Sequence, residues 1–187
     1  SEIIFLDRDR VEVKFLNKIK KSSKISNIEL AICLVKKNPM ETILQKATEL
    51  GVSRITPIIS DRTEVKELNY ERAKKIVIEA TEQSNQLNPP EVSKVIKLKD
   101  FLEKLDSGAK FLFADVNSQN NLQKKDVEGD TLKTILIGPE GDFSPSERES
   151  ILAQANTTSF TISSNVLRSD TAVISAISLV NFINNSY

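Results

Sequence analysis

The chain has 187 residues, 39% of them hydrophobic and 28% charged, which suits one well-formed core with a small appendage and excludes a disordered chain. Lys plus Arg and Asp plus Glu both number 26, so bulk charge advertises no polyanionic partner. The sequence has no histidine and a single cysteine, which excludes imidazole chemistry, Cys/His zinc sites and an internal disulfide.

Ser1 to Asp7 lack the basic region and apolar stretch of a signal peptide, and no apolar run approaches the ~20 residues that span a bilayer. A cytoplasmic location is therefore expected. Val11 to Leu16 alternates weakly, predicting one or two short strands, and Lys20-Lys21-Ser22-Ser23-Lys24 reads as a linker. Leu30 to Val35 is a continuous apolar run of the kind buried on both faces of a parallel sheet, and Cys33 lies inside it. Asn38-Pro39 opens a helix that reaches about Leu50 and stops at Gly51, with Met40, Ile43, Leu44, Ala47 and Leu50 on one stripe. Arg54 to Ile59 is the next strand, and Pro57 within it marks an edge or a bulge.

A helix follows from Tyr70 to about Gln86, ending before Pro89-Pro90, then a short one from Asp100 to Leu105. Lys110 to Ala114 is a strand, and the polar residues Asn117 to Asp130 form a surface loop. Thr134 to Ile137 is a strand ending at Gly138, followed by a helix from Ser144 to Gln154 and a strand near Phe160 to Ile162. A last helix runs from Asp170 to about Asn184. Strands alternating with helices give an α/β protein with a mainly parallel sheet.

Two loops in this pattern carry chemistry. Ile137-Gly138-Pro139-Glu140-Gly141-Asp142-Phe143 follows a buried strand, and its glycines let the backbone turn sharply and lie close to a ligand. Bulk at Gly141 is expected to fill ligand space and to strain the backbone. Asn165-Val166-Leu167-Arg168-Ser169-Asp170-Thr171-Ala172 feeds the last helix with three residues able to cap free N–H groups. Loops at strand ends are where an open α/β sheet binds ligands. Either loop alone would also serve as an ordinary turn or a capped helix start.

In this order and spacing the two loops resemble the RsmE-type ribosomal RNA uridine N3-methyltransferases of the SPOUT superfamily, whose pattern is approximately IGPEGG-F-S-x-x-E and then ILR-x-ETA. The resemblance extends to Gln45 to Val52, to Ser60-Asp61-Arg62-Thr63, and to Glu79 to Ser84 followed by Pro89-Pro90. It implies a SPOUT domain over residues 26–187 with a deep C-terminal trefoil knot, from about Lys110 onward. Periodicity alone gives no reason for a knot. Residues 1–25 would be the remnant of a small PUA-like β-barrel that helps hold RNA. Residues 1–37 carry two Arg and seven Lys against five acids, with Lys14, Lys18, Lys20, Lys21 and Lys24 close together, which suits that role as well as it suits a solvated face.

The implied activity is transfer of a methyl group from S-adenosylmethionine to the N3 of a uridine in 16S rRNA, within the small ribosomal subunit. The implied cofactor residues are Ile137, Gly138, Pro139, Glu140 and Gly141 in the first loop. In the second they are Ser163, Val166, Leu167, Arg168, Thr171 and Ala172. No metal is implied. Arg168 is the candidate cation for charge developing on the uracil, or else pairs with Glu140 or Asp170 to pin the loops. Glu140 would orient the uracil or brace its loop. SPOUT sites lie at a dimer interface, and Val173, Ile174, Ile177, Leu179, Val180 and Ile183 give the last helix more apolar surface than one core contact requires.

Three positions depart from the family pattern. Asp142 stands at the second glycine of GPEGG, Asp170 at the Glu of ETA, and Gln86 where relatives often have Arg, which would weaken a phosphate or substrate contact. With that change and so little of a barrel, the chain is expected to bind the cofactor and methylate RNA poorly. A SPOUT methyltransferase of another RNA, or a non-catalytic RNA- or ribosome-associated protein of the same fold, remain alternatives. A phosphate-loop reading is disfavoured, because the first loop has two acids and no Lys.

Overall fold

A computed structural model describes residues 1–17 and 27–185. Lys18, Lys20, Lys21 and Lys24 of the basic cluster, and the expected linker, lie outside the described residues. Strands β1 (Glu2–Leu6) and β2 (Val11–Lys14) form an antiparallel hairpin. Its apolar side chains, Leu6 and Phe15 among them, face solvent. A lone two-stranded hairpin is marginal in water.

The main domain is built on β3 (Ile28–Cys33), every residue of which is buried. It continues through α1 (Lys37–Glu49), β4 (Arg54–Ile59), α2 (Tyr70–Gln83), β5 (Glu91–Val92), β6 (Ile96–Lys97) and α3 (Leu98–Glu103). The second half comprises β7 (Lys110–Ala114), α4 (Lys124–Val127), β8 (Lys133–Ile137), α5 (Pro145–Leu152), β9 (Thr157–Phe160) and α6 (Ser169–Asn185). The strands pair in the order β5-β4-β3-β8-β7-β9, with β6 also on β4, and every ladder of this sheet is parallel.

Alternate residues of the central strands feed two cores. Leu30, Ile32, Leu112, Ile135 and Ile137 face α1, α2 and α6. Ala31, Cys33, Phe111, Phe113 and Leu136 face α3 and α5. Burial on both faces explains why these strands are continuous apolar runs.

Several elements differ from what the sequence predicts. Pro57 lies inside the sheet, opposite a break. On its outer side β4 pairs β5 through Arg54 and Ile55, then β6 through Ile58 and Ile59. The 117–130 loop contains α4, one turn nucleated by a capping box between Gln123 and Asp126. The edge strand β9 ends at Phe160 instead of beginning there, because its Thr157-Thr158-Ser159 run is half-exposed and carries no apolar signal. On α6, Val173, Ile177 and Val180 are wholly buried in their own domain, so they offer nothing to a second copy.

Gln86 is the plainest correction. Its amide donates to the Thr48 and Glu49 carbonyls (2.7 and 3.2 Å), closing the C-terminus of α1. Because α1 runs back from the C-terminal end of β3, this position lies at the end of the sheet away from the two loops, and an Arg→Gln difference there touches helix capping.

Candidate functional site

The C-terminal ends of β7, β8 and β9 enclose a cleft of about 680 Å³, its open mouth included. The loop after β8 supplies Ile137, Gly138, Pro139 and Glu140 to its wall. The segment after β9 and the first turn of α6 supply Ser163, Val166, Leu167 and Ala172. Gly141, Arg168 and Thr171 stand outside this lining, and Arg168 is exposed between Leu167 and Ser169, which both line it. The Ser163 hydroxyl accepts from the Asn165 N–H at 3.0 Å and so shapes its own loop.

The first loop is a tight turn closed by the Asp142 N–H donating to the Pro139 carbonyl at 3.0 Å. Gly138 is needed for close approach, since a Cβ there would meet the Phe143 ring at 3.0 Å. The left-handed residue of the turn is Asp142, at φ 59°, and not Gly141. A Cβ on Gly141 would meet Arg62 at 3.8 Å, an ordinary contact, so the backbone strain expected there belongs one position later. Asp142 tolerates this conformation better than most residues, and its carboxylate accepts from the Phe143 N–H (2.7 Å) and the Asn117 amide (3.3 Å).

The Ser60–Thr63 block braces this loop from β4. Arg62 Nη1 donates to the Gly141 carbonyl at 2.8 Å. The Ser144 hydroxyl donates to Asp61 at 2.8 Å, and the Asp61 N–H donates to Glu147 at the same distance. Ser144 also caps α5 in a capping box with Glu147, so helix start, loop and neighbouring strand are tied together.

Three carboxylates, Asp115, Glu140 and Asp142, line the cleft with no Lys or Arg among the lining residues. The Asp115 side chain is fully buried and accepts from Arg148 at 2.6 and 3.2 Å, and from the Asn117 N–H at 2.9 Å. This hydrogen bonding raises the Arg148 pKa above its ordinary value, so the guanidinium stays charged beside Asp115. Ile137, Ile162, Leu167 and Ala172 supply apolar surface beside the acids. Such a wall suits a flat apolar ring joined to a cationic centre and repels phosphate. Asp115 lies outside both loop motifs, yet it lines the cleft. Its signal was an acid placed directly after the buried strand Phe111 to Ala114, at the end of a sheet where ligands bind.

The RNA methyltransferase domain family matches residues 20–181. The chain belongs to this family. Within it, the chain is 32% identical to the ribosomal RNA small subunit methyltransferase E of Rickettsia conorii, over 98% of this chain and 75% of that protein. It is 38% identical to the enzyme of the same name from Aquifex aeolicus, over 76% of this chain and 63% of that one. The crystal structure of the Neisseria gonorrhoeae ribosomal RNA small subunit methyltransferase E, bound to S-adenosyl methionine, superposes with a TM-score of 0.80 at 29% identity, covering 90% of this chain and 70% of the other. RsmE-type membership gives the two loops their context. The chain meets the turn geometry of the GPEGG segment with an aspartate at its left-handed position.

Proposed function

We propose that the chain is an S-adenosylmethionine-dependent methyltransferase acting on the N3 of one uridine of 16S rRNA, in the cytoplasm and on the small ribosomal subunit. The observation that carries this reading is the acidic cleft without a lining cation at the ends of β7, β8 and β9. S-adenosylmethionine supplies a methyl group on a positively charged sulfur. Glu140 and Asp142 would face that charge, Asp115 is held by Arg148, and Ile137, Ile162 and Leu167 would offer an apolar seat for an adenine. Gly138 and Pro139 bring backbone against the ligand without side-chain bulk. Relatives with the name and the bound cofactor support the assignment.

For the protein the chemistry is positioning plus removal of a proton. Glu140 orients the uracil, and Arg168, exposed beside the cleft, offsets negative charge developing on it. A trefoil knot is part of the proposal. In its favour, the chain leaves β9, on the far side of β7 from β8, and returns as α6 to pack on α1 and β8, so residues 161–168 must cross past the Gly138 loop. A homodimer is proposed through Ile174, Leu179 and Ile183, which are half-buried, and Phe182, which is 73% exposed. The N-terminal hairpin is assigned to an RNA-holding barrel.

The test pairs calorimetry of the chain with S-adenosylmethionine and mass spectrometry of 16S rRNA from cells lacking the gene. Cofactor binding together with loss of one N3-methyluridine is expected. An unchanged modification pattern would overturn the assignment.

A further inference from the structure

The cleft at the ends of β7, β8 and β9 differs in chemistry between its interior and its mouth. Its three carboxylates suit a cation, and among the side chains that line it only Asn165 carries an N–H donor. The lining hydroxyls are those of Thr161, Ser163 and Ser169. Thr161 Oγ1 donates to the Ser163 carbonyl at 3.1 Å, and Ser169 is buried. Asn165 both lines the cleft and is exposed, which places it at the rim. Its side-chain amide has no hydrogen-bond partner among the described residues, while its backbone N–H donates to the Ser163 hydroxyl at 3.0 Å and fixes the turn. Val116 and Val166, 50% and 83% exposed, line the same cleft and give the mouth apolar surface for the face of a flat ring.

Resting on the methyl-transfer reading above, we propose that the Asn165 amide donates to a carbonyl oxygen of the acceptor uracil, which enters through this mouth with N3 toward the methyl donor. N3 lies between the two carbonyls of uracil, so an approach that aims N3 into the cleft brings a carbonyl to the rim on either side. Neutral N3 is a poor nucleophile. N3 loses its proton to water at the open mouth, its electron pair forms the bond to the methyl carbon, and the S–C pair returns to sulfur. Between the first step and the second, negative charge is spread over N3 and both carbonyl oxygens, in a cleft whose acids oppose it. A neutral N–H donor at the rim stabilises that charge without repelling the sulfonium inside, as a lysine or arginine in the lining would do. The acids then serve the donor and the amide serves the acceptor, which explains why the one side-chain N–H of the lining stands at the mouth and is left unpaired.

The contact is tested first without any methyl transfer. With S-adenosylhomocysteine saturating the isotope-labelled chain, uridine 5′-monophosphate is titrated in and the side-chain NH2 signal of Asn165, assigned by its loss in Asn165→Asp, is followed. That signal is expected to shift; an unmoved signal overturns the proposal, wherever else the nucleotide binds. In transfer assays Asn165→Ala should lower kcat about tenfold, less than the roughly 100-fold of an enclosed donor because the rim admits water, with S-adenosylmethionine affinity unchanged in calorimetry. Asn165→Asp keeps the shape, removes the donor and adds negative charge, so kcat should fall about 100-fold while S-adenosylmethionine binds at least as well. A loss of cofactor affinity in Asn165→Ala that matches its loss of kcat would place the amide on the cofactor. Undiminished kcat in Asn165→Asp would show that the position meets no developing charge. Either result overturns the proposal. If the Asn165 signal responds to uridine monophosphate while 16S rRNA from cells lacking the gene keeps its N3-methyluridine, the RNA target fails and the rim contact stands.

Discussion

The Phe143 ring lies against the backbone of Gly138, so that a Cβ on the glycine would stand 3.0 Å from Cε2 and 3.2 Å from Cδ2. The ring has little room to retreat, being buried and in edge contact with Phe113 at 5.7 Å between centroids. Gly138→Ala should therefore cost about 1–3 kcal/mol in denaturant unfolding and weaken cofactor binding through the displaced loop. Gly141→Ala, whose Cβ meets only Arg62 at 3.8 Å, should be close to neutral for stability. Equal losses in the two variants would mean that the close approach is not what requires glycine at 138.

Asp142 combines a left-handed backbone with two side-chain hydrogen bonds. Ala at this position loses both bonds and keeps the conformational cost, so Asp142→Ala should destabilise by about 1–2 kcal/mol. Asp142→Gly relieves the backbone while losing the bonds, and should fall between the two. Thermal unfolding of the three proteins gives the order directly, and an Ala variant as stable as Gly would refute this account.

The strand–helix alternation and the loops after β8 and β9 were legible because each leaves a local mark: apolar runs for strands buried on two faces, glycine and capping residues for the loops. What escaped the sequence depends on contacts distant along the chain. Nothing local distinguishes Asp115 from any polar residue after a strand until Arg148, 33 positions later, is seen beside it. The Ser60–Thr63 block is recognisable as a motif, yet its work as a brace appears only when Arg62 meets Gly141, 79 positions away. The apolar excess on α6 misled for the same reason. Periodicity counts Val173, Ile177 and Val180 without telling which neighbour covers them.

The proposed dimer consequently narrows to the outer face of α6. Phe182 is 73% exposed, and Phe182→Glu should shift sedimentation at micromolar concentration toward monomer without loss of helical content. A wild-type chain that sediments as a monomer under the same conditions would end the proposal.

Cys33 offers a pH test. Burial pushes its thiol up to about 12 from an ordinary 9.0, against smaller opposing effects of hydrogen bonds to Ser60 and Thr63. A raised folded-state pKa gives a contribution fully present below pH 9.0 and lost as pH rises toward about 12. Over that window the native state should lose stability relative to Cys33→Ala by roughly 1.4 kcal/mol per pH unit. Below it, the thiol should resist alkylation until the chain unfolds. Rapid labelling of the folded protein at pH 8, or identical alkaline stability profiles for the two proteins, would contradict this burial.

Arg148 and Asp115 link the fold to the cleft at the ends of β7, β8 and β9 most directly. The carboxylate is fully enclosed while the guanidinium retains 34% exposure, so removing the cation strands a buried charge, whereas removing the acid releases a cation that can reach water. Arg148→Met should accordingly cost about 3 kcal/mol, discounted from a fully buried pair for the exposure of the arginine. Asp115→Asn should cost less, because its amide oxygen still accepts from the Asn117 N–H that now bonds Oδ1 at 2.9 Å. Since Asp115 also lines the cleft, both variants should lower S-adenosylmethionine affinity. In the double variant Arg148→Met/Asp115→Asn, stability should recover part of the Arg148→Met loss, which is the signature of coupling between neighbours. Denaturant unfolding of the four proteins completes the cycle, and strictly additive losses would show that the pair does not act as a unit.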